Sequence, residues 1–311
     1  MSRENDNQPS EGDYQSKLVA ESQKWAAHLK VEASGEWNAW LDHPLIAEHY
    51  RQRALVDGLP WERWVCKELR APAERSLDLG CGAGGRSISV FNEGASRYID
   101  GLDVSEGRIA EGERLRQESG IPGNFRVADT NTVTLSPDTY ELIFSCHSFH
   151  HFLNLEHIMQ QVHNALTPHG LFVLEEFVGP TQFQWTDKQM DVVRSVLALI
   201  PERLRWYQWN ALKVVEGRPT PAQVVAVSPF ESIRSAEIFA LFKSYFEVVA
   251  VKRLGGTIQH LLYNGIAHNF SLNDEEAIHC LRGIWEVEDA LIDSEMLPSD
   301  FMLLIGRRKA A

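Results

Sequence analysis

Apolar residues in the first quarter of the chain are scattered among polar ones at spacings that suit helices. Trp25, Leu29, Trp37, Trp40, Leu41, Tyr50, Trp61, Trp64 and Val65 punctuate residues 14–70, and Pro44 and Pro60 each stand where a helix can begin. Two or three short helices are predicted there. From residue 75 the pattern changes. Short apolar runs at 76–79, 98–104, 125–128, 140–146 and 171–174 read as strands. Helical stretches lie between them, through 87–91, over 106–118, and over 155–166 before Thr167-Pro168-His169-Gly170. Strands alternating with helices of these lengths predict a parallel sheet with right-handed crossovers.

After Gly179-Pro180 the alternation breaks. Thr186 with Gln189 spells a capping box ahead of an apolar run to Ile200, which Pro201 stops. A mixed stretch over 201–230 carries Trp206, Tyr207 and Trp209; a helix is expected near 235–244, a strand at 246–251 and a closing strand at 301–305. The expected architecture is a doubly wound α/β fold with a seven-stranded, mostly parallel sheet. Residues 1–13 are expected to be a disordered tail, 14–74 an N-terminal helical cover, and 75–311 the core, with helical cap insertions at 180–230 and 255–297. Insertions at the strand ends of such a sheet are where substrate specificity resides.

Between the first strand and its helix runs Leu77-Asp78-Leu79-Gly80-Cys81-Gly82-Ala83-Gly84-Gly85. Glycines suit a tight turn on whose backbone a ligand presses. Gly80, Gly82 and Gly85 also fit G-x-G-x-x-G, so a dinucleotide site is an alternative. The acids tilt the choice. Asp78 precedes the first glycine by two positions, and Asp103 and Asp129 stand at the ends of the second and third strands. Carboxylates suit a cationic, amine-bearing ligand; a pyrophosphate does not want them. Taken singly, Asp103 also reads as a helix N-cap and Asp129 as a loop residue.

The LDLGCGAGG stretch resembles the first motif of the class I S-adenosylmethionine-dependent methyltransferases, and the resemblance extends over roughly 75–178. It implies a Rossmann-like methyltransferase fold with S-adenosyl-L-methionine as cofactor. In that family Gly80, Gly82 and Gly84 would line the methionine end and Asp78 would lie near its ammonium. Asp103, with Val104 beside it, would accept both ribose hydroxyls. Asp129, with Thr130 beside it, would bond the adenine amino group, and Cys146 would sit near the sulfonium. Ser145-Cys146-His147-Ser148 occupies the place where amino-directed nucleic-acid and protein-glutamine methyltransferases carry an Asn/Asp-Pro-Pro-Tyr motif.

Methyl transfer needs an acceptor held in line and, for a hydroxyl, help in removing a proton. His147, His150 and His151 follow the fourth strand, and His150 or His151 is the candidate base. A His-His pair at this place also recurs in the resembling family as a structural turn. Glu175 and Glu176 follow the fifth strand; one of them faces the pocket by period two, and Glu176 is the candidate. If 257–269 is helical, His260, Asn264 and His268 share one face. With no carboxylate in that set, and with Cys66, Cys81, Cys146 and Cys280 forming no zinc spacing, no metal site is predicted. Phe183, Trp185, Trp206, Tyr207 and Trp209 are a candidate lid, or packing for the insertion.

Charge narrows the acceptor. The net charge is −13, from 30 basic and 43 acidic residues, with no basic run, which argues against a nucleic-acid partner. No 18-residue apolar run and no apolar signal core occur, so membrane spanning and export are not expected, and a cytoplasmic setting with reduced thiols is. The expected function is methyl transfer to an oxygen or nitrogen of a small molecule, a sugar or other secondary metabolite among them; the sequence fixes no oligomeric state. The rivals are an NAD-dependent oxidoreductase and a non-catalytic S-adenosylmethionine-binding regulatory protein.

Overall fold

The computed structural model describes residues 11–34, 39–215 and 217–309. Seven strands form one sheet: β1 (Ser76–Leu79), β2 (Ile99–Asp103), β3 (Gly123–Val127), β4 (Tyr140–Cys146), β5 (Leu166–Phe177), β6 (Phe246–Gly255) and β7 (Phe301–Arg308). Their order is β3-β2-β1-β4-β5-β7-β6, parallel up to β5, with β7 antiparallel to both of its neighbours. This is the mostly parallel, doubly wound sheet that the strand–helix alternation predicts. The order reverses between β1 and β4, and ligands of open α/β sheets bind at the carboxyl ends of strands flanking such a reversal.

Both faces of the sheet are covered, so the central strands are apolar throughout rather than alternating. Period two still sorts them. Leu142, Phe144, Leu171 and Val173 join one buried cluster with Trp61, Trp64 and Val65 of α3 (Trp61–Leu69). Ile143, Phe172 and Leu174 join the other with Leu155, Ile158, Met159 and Val162 of α6 (Leu155–Ala165). The α6 residues sit at i, i+3, i+4 and i+7, one apolar stripe of a helix. Truncating a side chain such as Ile158, which is 0% exposed, to alanine costs about 2–5 kcal/mol through lost transfer energy and a cavity.

The N-terminal cover departs from expectation. Helix α1 runs Glu11–Ser34 as a single long element, followed by α2 (Pro44–Arg53) and α3. Residues 11–13, expected in a disordered tail, form its first turn, where Glu11 and Asp13 complement the helix dipole. Residues 1–10 and Trp37 lie outside the described residues. Pro44 is at the start of α2, while Pro60 is the cap preceding α3.

Strand β5 begins directly after α6, so Thr167–Gly170 opens the strand instead of forming a turn. At its far end Glu175 and Glu176 lie inside the strand, because β7 pairs antiparallel with it from Leu171↔Arg307 to Phe177↔Phe301 and satisfies its backbone. The first insertion carries α7 (Asp187–Leu199) and α8 (Pro221–Val227), and α9 (Ile238–Tyr245) leads into β6. The second carries α10 (Gln259–Tyr263) and α11 (Glu275–Asp293). Helix α10 ends because Asn264 is extended and Gly265 has φ +77°. His260, Asn264 and His268 therefore do not share a helix face. No helix among the described residues is long and apolar enough to cross a membrane.

Candidate active site

The turn after β1 builds the site. Gly80 has φ +73°, and a Cβ there would come within 2.3 Å of Ser148 Oγ, so only glycine lets the loop lie against the end of β4. The loop then feeds α4 (Gly85–Asn92), and Gly84, with φ +80°, is its N-cap.

A cavity of about 550 Å³ opens over the carboxyl ends of β1, β2 and β4. Eight of the nine residues expected to bind the cofactor line it: Asp78, Gly80, Gly82, Asp103, Val104, Asp129, Thr130 and Cys146. The ninth, Gly84, faces the Phe125 ring instead, with room for no Cβ. Of the three residues expected to be catalytic, His151 lines the cavity, while His150 and Glu176 stand behind it.

The acids are held in distinct ways. Asp103 Oδ2 accepts from Gly82 N at 2.9 Å and its Oδ1 from Ser105 N at 2.8 Å, so the carboxylate ties the glycine turn to the end of β2. Burial pushes Asp103 above its ordinary range, and those two amides oppose the rise. Asp78 accepts from Ser87 Oγ at 2.6 Å, and burial pushes it up to about 7. Buried carboxylates poised in this way are relieved by a neighbouring cation. Arg86 and Arg108 line the same cavity. The donor set thus suits a ligand with ammonium, carboxylate and sulfonium groups, and the volume falls in the range of small-molecule sites.

Helix α1 closes the cavity, which the sequence did not foretell. Leu18, Glu21 and Trp25 line it, Tyr14 Oη donates to Asp129 Oδ2 at 2.7 Å, and Arg108 Nε donates to Trp25 O at 3.1 Å.

Behind His151 lies a buried cluster of imidazoles and carboxylates. Glu176 is fully buried. Its Oε2 accepts from Ser148 N and Phe149 N, and its Oε1 accepts from Phe177 N and meets His150 Nδ1 at 2.5 Å. It clamps the turn after β4. Glu231 faces both rings, at 3.5 Å from His150 Nε2 and 3.9 Å from His151 Nε2. Glu21 of α1 meets His151 Nδ1 at 3.0 Å and accepts from Ser228 Oγ at 2.7 Å. Burial works against a charge on His150, but Glu176 and Glu231 raise it to about 10, so this ring is an imidazolium at neutral pH and not a free base.

The third histidine, His147, has φ +54° and belongs to a separate network. Its Nε2 is 3.4 Å from Glu175 Oε1, which also receives Arg86 Nη2 at 3.0 Å; Trp61 Nε1 donates to Glu175 Oε2 at 3.2 Å. Arg86 Nη1 reaches Glu62 at 3.2 Å. Glu175 and Glu176 thus face opposite sides of the sheet, as period two requires. Burial penalises the Glu175 carboxylate, yet Arg86 and His147 hold it down to about 2.

The expected aromatic lid divides. Phe183 and Trp185 stack at 5.1 Å and, with Tyr207, line a second cleft that also reaches Lys213 and Glu231. Trp206 is not among that cleft's lining residues, and Trp209, stacked on Tyr207 at 4.3 Å, is 69% exposed. His260 sits in the aromatic packing near Trp185 and Phe301, and burial pushes its imidazole down to about 4. Asn264 Oδ1 accepts from Trp40 N at 3.1 Å, a packing role.

The fold is the Rossmann-like one of the class I S-adenosylmethionine-dependent methyltransferases. Residues 71–215 match the family model described as a methyltransferase domain. Among similar proteins, the sterol 4-C-methyltransferase strm-1 of Caenorhabditis elegans is 22% identical over 115 residues, covering 36% of this chain and 34% of that protein. The ubiquinone biosynthesis O-methyltransferase of Rhizobium etli (strain CIAT 652) is 28% identical over 97 residues, covering 31% of this chain and 38% of that one. The match thus spans about a third of the length of these relatives. The crystal structure of an S-adenosylmethionine-dependent methyltransferase from Mesorhizobium loti superposes with a TM-score of 0.47 and 19% identity, covering 81% of this chain and 99% of that one.

Proposed function

We propose that the protein is a methyltransferase that moves the methyl group of S-adenosyl-L-methionine to an oxygen or nitrogen of a small molecule, a sugar or other secondary metabolite among them. The observation that carries this reading is the convergence of Asp78, Asp103, Asp129 and the glycine turn on one cavity whose wall includes His151. Asp103 takes the ribose hydroxyls, Asp129 and Thr130 the adenine edge, and Asp78 the ammonium, with Gly80, Gly82 and Cys146 along the methionine end and Val104 beside the ribose. Arg86 or Arg108 takes the cofactor's carboxylate. The bound cofactor supplies the activated carbon and the leaving group.

The chain's own residues position the acceptor. His151 lines the cofactor cavity and Glu231 the neighbouring aromatic cleft, 3.9 Å apart, so the acceptor is placed where the two spaces adjoin. His151 meets its reacting heteroatom, while His150 and Glu176 hold the turn that presents His151. Helix α1 over the cavity excludes water from the reacting centre. A heteroatom acceptor is favoured over carbon because the wall at this point is imidazole and carboxylate, groups that hydrogen-bond oxygen and nitrogen. The bulk charge of −13 favours a small molecule over a nucleic acid. A cytoplasmic setting accords with four free cysteines.

Calorimetric titration with S-adenosylmethionine, S-adenosylhomocysteine and NAD in parallel tests the reading. Binding of the two sulfur ligands and not NAD is expected, followed by an acceptor screen with labelled methyl groups. Binding of NAD alone overturns it and makes the glycine turn a dinucleotide site. An intact cofactor site with no turnover across acceptor classes leaves a regulatory protein instead.

A further inference from the structure

We infer that His150, His151 and Glu231 form a binding site for a divalent first-row transition-metal cation on the acceptor side of the cofactor cavity. One donor atom from each residue lies within 4.8 Å of the others. The two histidines are consecutive in the short 3-10 turn Phe149–His151, and both Nε2 atoms face Glu231. An ion about 2.1 Å from each donor sets donor–donor edges of roughly 3–3.5 Å. The Nε2–carboxylate separations here are 3.5 Å to Oε1 and 3.9 Å to Oε2 of Glu231, and the whole donor set lies within 4.8 Å, so a side-chain shift on the order of 1 Å closes it.

Two further features point to a cation. Each imidazole has a carboxylate beside its other nitrogen: Glu176 is hydrogen-bonded to His150 Nδ1 at 2.5 Å, and Glu21 lies 3.0 Å from His151 Nδ1 outside hydrogen-bond geometry. Carboxylates hydrogen-bonded behind metal-bound imidazoles fix the tautomer and the ring orientation; His150 has that arrangement, and His151 has the carboxylate within reach. The second feature is charge. Three buried or nearly buried carboxylates surround two imidazoles, and Lys24 Nζ, 3.7 Å from Glu231, supplies one positive charge. A divalent ion that takes the place of the His150 proton, leaving both imidazoles neutral, brings the cluster to neutrality. Two imidazoles and one carboxylate select Zn²⁺, Fe²⁺, Co²⁺ or Mn²⁺ over Mg²⁺ and Ca²⁺. Three protein ligands leave coordination positions open, and here they open toward the cofactor cavity and the cleft of Phe183, Trp185 and Tyr207. With the cation bound, the ion and not His151 holds the acceptor heteroatom, a step that rests on the methyl-transfer reading; the cation site itself does not. Local patterns do not announce this set, because the carboxylate ligand lies some 80 positions after the histidines.

The test uses the full chain without a histidine tag, stripped by a chelator and titrated with Co²⁺ while its visible d–d absorption is recorded. One equivalent is expected to bind and to give the intense visible bands of an imidazole-ligated, low-coordinate site. His151→Ala and the near-isosteric Glu231→Gln should abolish those bands while the variants keep the wild-type far-ultraviolet circular dichroism and a cooperative urea transition, which shows that they are folded. Lys24→Gln, which removes the competing positive charge, should tighten Co²⁺ binding several-fold, a gain that a merely structural cluster would not show. No Co²⁺ spectrum from wild-type protein that binds S-adenosylhomocysteine, or a spectrum unchanged in both ligand variants, overturns the site. A Co²⁺ spectrum in protein that fails to bind S-adenosylhomocysteine supports the site and overturns the methyl-transfer reading.

Discussion

The Tyr14 phenol donates a hydrogen bond to the Asp129 carboxylate at 2.7 Å, joining helix α1 to the end of β3 across 115 positions. The same helix brings Leu18, Glu21 and Trp25 to the cavity wall, and the Tyr14 ring lies 5.8 Å from that of Phe230. Helix α1 is thus a lid whose N-terminal end is latched to the carboxylate proposed to read the adenine. Tyr14→Phe keeps the ring packing and removes the latch. It should weaken S-adenosylhomocysteine binding about 5-fold, the worth of roughly 1 kcal/mol for one hydrogen bond, mainly through faster dissociation. Calorimetry and stopped-flow release measure it; unchanged affinity and release rate would mean that the latch does not act on the ligand.

Asp103 carries two tasks, and substitution separates them. Its carboxylate accepts Gly82 N and Ser105 N, and it is proposed to accept the ribose hydroxyls. Asp103→Ala loses both tasks and should cost ~3 kcal/mol of cofactor affinity, on the order of 100-fold. Asp103→Asn retains an acceptor oxygen for one backbone amide and should fall between wild type and Asp103→Ala. Equal affinities for all three proteins in calorimetry would remove Asp103 from the ribose site.

What the sequence disclosed follows from the range of the interactions involved. The strand–helix alternation and the turn at Gly80–Gly85 are written in short windows, and the strands β1 and β4 were legible to the residue. Contacts made by distant segments were not. Glu21 reaches Ser228 across 207 positions, and nothing near either residue announces it. Thr186 and Gln189 show the competition directly. Thr186 caps α7 by accepting from Gln189 N, as the local pattern predicts, but the Gln189 amide does not fold back to complete the box. It donates to Thr257 O at 2.7 Å and Asp300 Oδ2 at 2.8 Å, since buried partners needed that donor more than the helix end did. The expected stripe of His260, Asn264 and His268 failed for a local reason that was visible beforehand. Gly265 offers a chain break, and the helix takes it after Tyr263.

Arg86 is the keystone of the network beside the cavity. It pairs with Glu175 at 3.0 Å and Glu62 at 3.2 Å, and both carboxylates are buried. Removing the cation strands two acids away from water, which is more costly than never having had the network. Arg86→Ala should destabilise the protein by about 3–5 kcal/mol in urea denaturation. Adding Glu175→Gln should recover part of that loss, because one stranded charge is then gone. If the double variant is less stable than Arg86→Ala alone, Glu175 is held by Trp61 and His147 and the pairing with Arg86 is incidental.

Asp300 predicts a pH dependence of stability with a definite sign. It precedes β7, is fully buried, and accepts from Trp185 Nε1 at 3.1 Å and Gln189 Nε2 at 2.8 Å through Oδ2, while Oδ1 has no hydrogen-bond partner. Burial pushes its carboxyl up to about 7; nearby Glu288 adds to the rise, and the bonds from Gln189 and Trp185 oppose it. An unfolded aspartate titrates near 3.9, so between about pH 4 and 7 the folded chain holds a proton that the unfolded chain has released. The contribution of Asp300 is therefore fully present below about pH 4 and is lost as pH rises through 7, at up to about 1.4 kcal/mol per pH unit. Asp300→Asn is neutral at every pH and lacks this loss. Asp78, raised to about 7 by its own burial, titrates in the same window, so the wild-type slope alone does not isolate either group. The difference between wild type and Asp300→Asn does, because Asp78 is common to both. Urea denaturation at pH 5, 6, 7 and 8 should show wild type losing stability relative to Asp300→Asn with each step up to pH 7 and levelling above it. A constant difference across the series would mean that Asp300 stays ionised in the fold and that its unpartnered oxygen is tolerated as an anion.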